Sequence, residues 1–262
     1  DLDELLSNFL ENSLPKCIYH MGACSSTTEN NGTYLYNNNY KFSKKIVDFA
    51  FKNNIFLINA SSASVYGIQK ISYEEIQFEK PINHYAFTKL LVDQYIHQKL
   101  DLNVNAKILS LRFFNVYGIG QRPDGAYAAV IPRFVDMMAK GIQPSINGDG
   151  GQTRDFVHVD DVCNAIMTLV EGDWKANSPH VYNVATQTRI SLLDLVSIIN
   201  KSLANKIENY SHLAPIHDLE RPGDIRHSMA SISRIKQVLN WQPSIGFQEG
   251  IDDLVSERLS ML

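Results

Sequence analysis

The chain has 262 residues, 44% of them hydrophobic and 20% charged. That is enough to bury a sizeable core, and it excludes a small domain held together by disulfides. With 24 basic and 28 acidic side chains the net charge is −4, so nothing supports a protein built around a nucleic-acid backbone. No apolar run approaches the ~18 residues of a membrane helix, and no signal peptide opens the chain. Asp1 rather than Met stands first, so translation is expected to begin upstream. Cys17, Cys24 and Cys163 are odd in number, widely spaced and lack a Cys-x-x-Cys pair. We expect reduced thiols, small and buried, in a cytoplasmic protein.

Cys17–Met21, Ile55–Asn59, Lys107–Arg112 and His180–Val184 read as strands, the middle two as buried ones. Between them, Tyr40–Lys52 and Phe87–Leu100 carry apolar residues at helical spacing. Strand, long helix, strand, long helix predicts parallel strands joined by crossovers, hence an α/β layered sheet. Such sheets bind ligands beyond the carboxyl ends of their strands. After about Gly118 the texture changes: 118–125 and 147–151 are turn-rich and the helices shorten. We therefore read one region over 1–118, with a later strand near 180–184, and a second, smaller, interleaved region over 119–262.

A tyrosine four residues before a lysine on a helix places both side chains on one face. An ammonium beside a phenol is expected to lower its pKa from near ~10 and make it a usable general base. The spacing alone selects nothing, because it occurs at Tyr40/Lys44, Tyr66/Lys70, Tyr85/Lys89 and Tyr95/Lys99. Context selects. Tyr66 precedes Gly67 in a turn-like stretch, Tyr95 lies in mid-helix among apolar neighbours, and Tyr40 follows an asparagine run. Only Tyr85 heads a helix that follows Pro81 and a strand ending in hydroxyls, Ala60-Ser-Ser-Ala-Ser-Val-Tyr-Gly67. A structural tyrosine remains the alternative at this point.

Ser61–Gly67, then Tyr85-x-x-x-Lys89, then Arg112-Phe-Phe-Asn-Val-Tyr-Gly118 resemble the extended short-chain dehydrogenase/reductase family, and within it the NAD-dependent nucleotide-sugar epimerases. Gly125–Phe134, Asn147–Gly150, Thr153–Phe156 and Arg221-Pro-Gly-Asp-Ile-Arg-His-Ser228 carry the resemblance almost to the C-terminus. It implies a Rossmann-like, doubly wound parallel sheet with a smaller α/β substrate domain, NAD as cofactor (NADP not excluded), and a nucleotide-sugar substrate.

By this resemblance Tyr85 is the catalytic base, and Lys89 holds the nicotinamide ribose and lowers the tyrosine pKa. The Ser62 hydroxyl bonds the reacting sugar oxygen. Met21-Gly22-Ala23 runs beneath the cofactor, where small residues let the backbone approach closely, and Asn39 and Phe114 are further cofactor contacts. Asn115, Arg154 and Arg221 grip the diphosphate, and Asp224 the nucleotide ribose. A guanidinium is the planar, permanently charged partner a diphosphate prefers; for Arg154 the competing reading is a salt bridge with Asp155 or Asp160. Ser64 and Ser228 complete the substrate set, with Ser228 leaving room for an acetamido group. No metal is expected. A homodimer through the helices at 34–52 and 85–100 is also implied.

Dehydratase relatives carry an Asp-Glu pair after the hydroxyl residue, where this chain has Ala63 and Ser64, which argues against elimination of water. His20–Glu29 and Asn38–Tyr40 resemble the ADP-glycero-manno-heptose 6-epimerases. Those enzymes carry a second catalytic lysine where this chain has Asp124, and they lack the Arg-Pro-Gly-Asp segment typical of UDP-hexose 4-epimerases. The expectation is therefore C4 epimerisation of UDP-N-acetylglucosamine or a related UDP-hexose. The alternatives are the heptose 6-epimerase and a non-catalytic remnant that binds sugar nucleotides. Family members open with a strand and a Gly-x-x-Gly-x-x-Gly turn, so by analogy roughly 60 residues precede the first strand read here. Sixteen do, without glycine, and Asp149-Gly-Gly151 opens no helix. A chain so begun is expected to lack the Gly-rich loop and to bind dinucleotide weakly.

Overall fold

The computed structural model describes residues 2–124, 128–172, 178–220 and 225–262. These form two compact units. One comprises the described residues up to Gly67, Glu74–Phe113 and Ile166–Asn183; the other comprises Ile68–Tyr73, Phe114–Ala165 and Val184–Leu262.

The first unit is built on a four-stranded sheet of β1 (Cys17–His20), β2 (Phe56–Ser62), β3 (Ile108–Phe113) and β4 (Val181–Val184), in that spatial order. β1 and β2 run parallel in register from Cys17 with Phe56 to His20 with Asn59, and β2 and β3 from Leu57 with Ile108 to Ser62 with Phe113. The Ser110 amide donates to the His180 carbonyl at 2.7 Å on the far side. β2 is buried at all positions but its last, as a strand covered on both faces must be. Parallel neighbours need crossovers, supplied by helix α2 (Phe42–Lys52) between β1 and β2 and helix α3 (His84–Leu102) between β2 and β3.

Periodicity decides how these helices face the core. Ile46, Val47 and Ala50 from α2 meet Val92 and Ile96 from α3 over Leu57 and Ile108 of the sheet. The amino-terminal helix α1 (Leu2–Glu11) adds Leu2, Leu6 and Phe9 to this cluster, a spacing of four and three that makes one helical stripe. The α3 entry is fixed by Asn83, whose extended backbone lets its side chain accept from the Ala86 amide at 2.8 Å, satisfying an orphan donor of the first turn. Before α2 the chain makes a π-helical turn over Tyr36–Lys41, a wider winding that often marks functional sites.

The second unit packs helices α4 (Val130–Ala139), α5 (Leu192–Ala204) and α6 (Phe247–Ser260) around Phe134, Met138, Ile146, Phe156, Ile199 and Val255. Its strands are short. Ser145–Asn147 pairs parallel with Ile216–Asp218, Asn115–Tyr117 parallel with Phe156–His158, and Thr153–Arg154 antiparallel with Ile190–Ser191. Asp155 ties the loops together. Its buried carboxylate accepts from the Thr186 amide at 2.8 Å and hydroxyl at 2.7 Å, and from the amides of Gln187 at 3.0 Å and Ala230 at 3.1 Å. Ser191 and Asp194 form a reciprocal capping box at the start of α5.

No helix among the described residues is long and apolar enough to cross a membrane. All three cysteines are free thiols, but they are not the buried side chains expected: Cys163 is exposed and Cys17 and Cys24 are half-buried. Cys17 opens β1, which among the described residues pairs with β2 alone, and Cys163 lies on the solvent side of the helix Val159–Glu171.

Candidate active site

The last three residues of β2 are tied one by one to three successive turns of α3. The Lys89 ammonium donates to the Ala60 carbonyl at 2.7 Å. The Ser61 hydroxyl donates to the Asp93 carboxylate at 2.9 Å. The Ser62 hydroxyl hydrogen-bonds the Tyr85 phenol. Tyr85, Lys89 and Asp93 are spaced by four, so they share one helix face, and all three are buried. Ser64 joins this end of the strand, with its hydroxyl donating to the Ser62 oxygen at 2.9 Å and its amide at 3.2 Å. A 3₁₀ turn over Ala63–Tyr66 closes on Gly67. That glycine is at φ +60°, and a Cβ there would lie 2.1 Å from the Lys80 carbonyl oxygen, so this turn requires glycine.

A buried polar network lies beneath these groups. Asp93 also accepts from the Ser110 hydroxyl and, at 2.9 Å, from Arg112 Nε. Arg112 is fully buried, pairs with Glu79 as well, and places its guanidinium 4.9 Å from the centre of the Tyr66 ring. The Tyr66 hydroxyl donates to Asn183 Oδ1 at 2.6 Å.

The loop after β1 is held against the head of α3. Asn39 Oδ1 accepts from the Cys24 amide at 2.9 Å, and Asn39 Nδ2 donates to the Cys24 carbonyl at 3.0 Å and to Thr88 Oγ1 at 3.2 Å. The π-helical turn carries Asn39 inward, where it is buried among exposed or half-buried neighbours. Met21, Gly22 and Ala23 therefore run between β1 and the clamped Cys24. Gly22 has no other atom within 4 Å of where a Cβ would stand, so its backbone presents an open face. His20, just before, shares a 2.7 Å hydrogen bond between Nε2 and the Ser43 hydroxyl.

Electrostatics differ from the sequence expectation at one point. The Tyr85 pKa is raised, chiefly by burial; the Ser62 hydrogen bond opposes this and the nearby Cys24 adds to it. Lys89 was expected to lower it, but its ammonium is directed to the Ala60 carbonyl, with Nζ 5.9 Å from the Tyr85 ring centre. Burial pushes Lys89 itself down to about 8, against the pull of Asp93. His20 falls to about 4, through burial and then the positive Lys89. An imidazole that resists protonation in the fold takes up a proton on unfolding between pH 6.5 and 4. Folded stability is therefore lost as the pH falls through that window, by about 3 kcal/mol from this group. Urea titrations at pH 7 and pH 4 should show a smaller acid loss in His20→Gln than in wild type; equal losses would contradict the assignment.

The other three tyrosine–lysine pairs have structural uses. Lys44 and Lys99 both pair with Asp48 and flank the Tyr95 ring at 4.7 Å and 5.2 Å. Tyr40 packs edge-on to Tyr95, and Tyr66 belongs to the 3₁₀ turn and the Arg112 network.

In the second unit, Asn115 and Arg154 line one pocket of about 200 Å³ together with Arg133, Ser145, Asn147 and Gln152. The Asn115 amide and Nδ2 each donate to the Asp155 carbonyl at 3.0 Å. Asp155, weighed above as an ion-pair partner for Arg154, has its carboxylate oxygens occupied by Thr186, Gln187 and Ala230. The Ser228 amide donates to the carbonyl of Thr153, next to Arg154, at 3.1 Å. Phe114 is buried, with its amide on the Val184 carbonyl at 3.2 Å. Asp124 forms an exposed pair with Arg122. Arg221 and Asp224 lie outside the described residues.

Sequence reasoning did not assign Asp93, His20 or Arg133. Continuing the spacing of four past Lys89 reaches Asp93, and Arg133 stands inside the segment Gly125–Phe134 that carries the resemblance.

Known proteins resemble this chain in sequence and fold. The family model described as "NAD dependent epimerase/dehydratase family" matches residues 1–185. An ADP-L-glycero-D-manno-heptose-6-epimerase from Brachyspira hyodysenteriae is 33% identical over 201 residues, covering 76% of this chain and 62% of its own length. The chain thus spans less than two thirds of that curated relative. A UDP-N-acetylglucosamine 4-epimerase from Methanobrevibacter ruminantium M1, solved with UDP-N-acetylmuramic acid, is 29% identical with a TM-score of 0.86, covering 100% of this chain and 81% of that one. MoeE5, solved with UDP-glucuronic acid and NAD, is 26% identical with a TM-score of 0.85, covering 100% of this chain and 85% of that one. The hydroxyl-ended strand, the Tyr85–Lys89 helix and the family match over most of the chain lead to one conclusion: the chain belongs to the NAD dependent epimerase/dehydratase family.

Proposed function

We propose that the chain carries the catalytic and substrate-gripping machinery of an NAD-dependent nucleotide-sugar epimerase, acting at C4 of a UDP-hexose or UDP-N-acetylhexosamine. The observation that carries this reading is the cluster of half-buried Ser62 with buried Tyr85 and Lys89 at the carboxyl end of β2. Such a reaction needs a proton-transfer cluster and an anion-binding pocket, and the chain holds one in each unit.

The residues present suit the nicotinamide-ribose half of the cofactor. Among the described residues Lys89 has one hydrogen bond, to Ala60, so two N–H donors of a buried ammonium are left for ribose hydroxyls. Open space stands where a Gly22 side chain would be, and Asn39 clamps the nearby Cys24. NAD+, when bound, supplies the acceptor and then the donor of the hydride exchanged at the sugar carbon. The rest falls to the protein. As phenolate, the Tyr85 oxygen takes the proton of the reacting hydroxyl to become the phenol and later returns it, and Ser62 orients that hydroxyl. Lys89, its ammonium held on the Ala60 carbonyl, turns its remaining donors to the ribose. Arg154 and Asn115 hold the diphosphate, with Arg221 and Asp224 as further substrate contacts, while the sugar turns over. Ser64 supports Ser62 and Ser228 borders the sugar. Ala63 and Ser64 offer no carboxyl acid for elimination, which favours epimerisation over dehydration.

Met21, Ala23 and Phe114 remain cofactor contacts in this proposal, and the cytoplasm remains its setting. A homodimer through the helices at 34–52 and 85–100 is part of it as well, since Tyr34, Tyr36, Phe42 and Phe87 are exposed there. The test is product analysis by NMR with NAD+ in excess. UDP-N-acetylglucosamine or UDP-glucose should yield its C4 epimer. Conversion of ADP-heptose at C6, with the UDP-hexoses untouched, would replace this reading by the heptose one, which the 33% identical relative supports. Asp124, at the place of the second heptose lysine, argues against that outcome.

A further inference from the structure

Among the described residues, the lining of the second-unit pocket includes Arg133 and Arg154 and no carboxylate, and Asn115, Asn147 and Gln152 complete a polar wall. Arg133 projects from the first turns of α4. Its side chain is exposed and has no hydrogen bond or ion pair among the described residues. The other arginines near this part of the fold are engaged: Arg122 with Asp124, Arg226 with Asp149 and Arg258 with Asp136. A fork of N–H donors recognises phosphate oxygens with particular strength.

We propose that Arg133 is a substrate-binding residue which, with Arg154, grips the diphosphate of a nucleoside diphosphate. This rests on the nucleotide-sugar reading and extends it, because that reading placed the grip on Asn115, Arg154 and Arg221 alone. Two guanidinium groups match the two anionic phosphates in number. The amides of Asn115, Asn147 and Gln152 provide both donors and acceptors for the sugar and base beyond them.

The test is calorimetric titration of the full chain with UDP, ADP and uridine. Wild type should bind the diphosphates, and Arg133→Gln should bind them about tenfold or more weakly, the scale of a lost charged hydrogen bond. Its affinity for uridine should be unchanged. Because the side chain is exposed, the variant should melt with the wild type, so a loss cannot be laid to unfolding. Wild-type diphosphate binding that Arg133→Gln retains within twofold overturns the role of Arg133 and leaves the nucleotide-sugar reading in place. An equal loss on uridine also overturns it, since the contact would then not be with phosphate. A wild-type chain that binds neither UDP nor ADP overturns the nucleotide-sugar reading and this proposal together.

Discussion

Asp93→Ala is expected to destabilise the first unit by about 3–5 kcal/mol, the usual consequence of removing one partner of a buried ion pair. The size follows from what the carboxylate does. It accepts from Ser61, Ser110 and Arg112 at once, and Arg112 is wholly buried. Alanine would remove one of that guanidinium's two carboxylates and leave the Ser61 and Ser110 hydroxyls without their acceptor. Urea denaturation followed by far-ultraviolet circular dichroism reads the effect. A loss below about 1 kcal/mol would show that water or a local shift replaces the carboxylate, and that the network does not hold β2 to α3. The cost is large for one side chain because total stability is itself of order 5–15 kcal/mol.

Tyr85→Phe should reduce turnover by about a thousandfold, within the range that general acid–base groups contribute. The ring would remain, packed as before at 8% exposure, so the fold should be unaffected. Only the oxygen bonded to Ser62 is lost. Affinity for UDP should be preserved, because the arginine pocket belongs to the other unit. Loss of turnover with intact UDP binding separates a proton-transfer role from a structural one. Turnover within tenfold of wild type would remove Tyr85 from the mechanism.

Much of this arrangement is legible in the amino-acid order, for physical reasons that can be named. The four strands of the main sheet stand out because apolar residues in short runs between helical periods have few other solutions. Tyr85 could be chosen among four equally spaced tyrosine–lysine pairs by what precedes it, and the structure gives the other three different work. Less legible is whatever depends on long-range packing. The inward turn of Asn39 follows from a π-helical winding that its neighbours Asn37 and Asn38 do not announce. The direction of the Tyr85 shift depends on how deeply the phenol is buried and on where the Lys89 ammonium points. Spacing alone predicts the opposite sign. The cysteines came out wrong because residue type is a weak guide to burial at the start of a strand or on the outer face of a helix. Arg133 could be read as a cation at the head of a helix, but its lack of a partner among the described residues is a fact of three dimensions.

The most direct test of the central claim is to supply UDP-N-acetylglucosamine or UDP-glucose deuterated at C4, with excess NAD+ in ordinary water, and to follow C4 by NMR. Transient oxidation and return of the same hydride predict the C4 epimer with its deuterium retained. Loss of the label to solvent, or no epimer from either sugar nucleotide, would contradict the account.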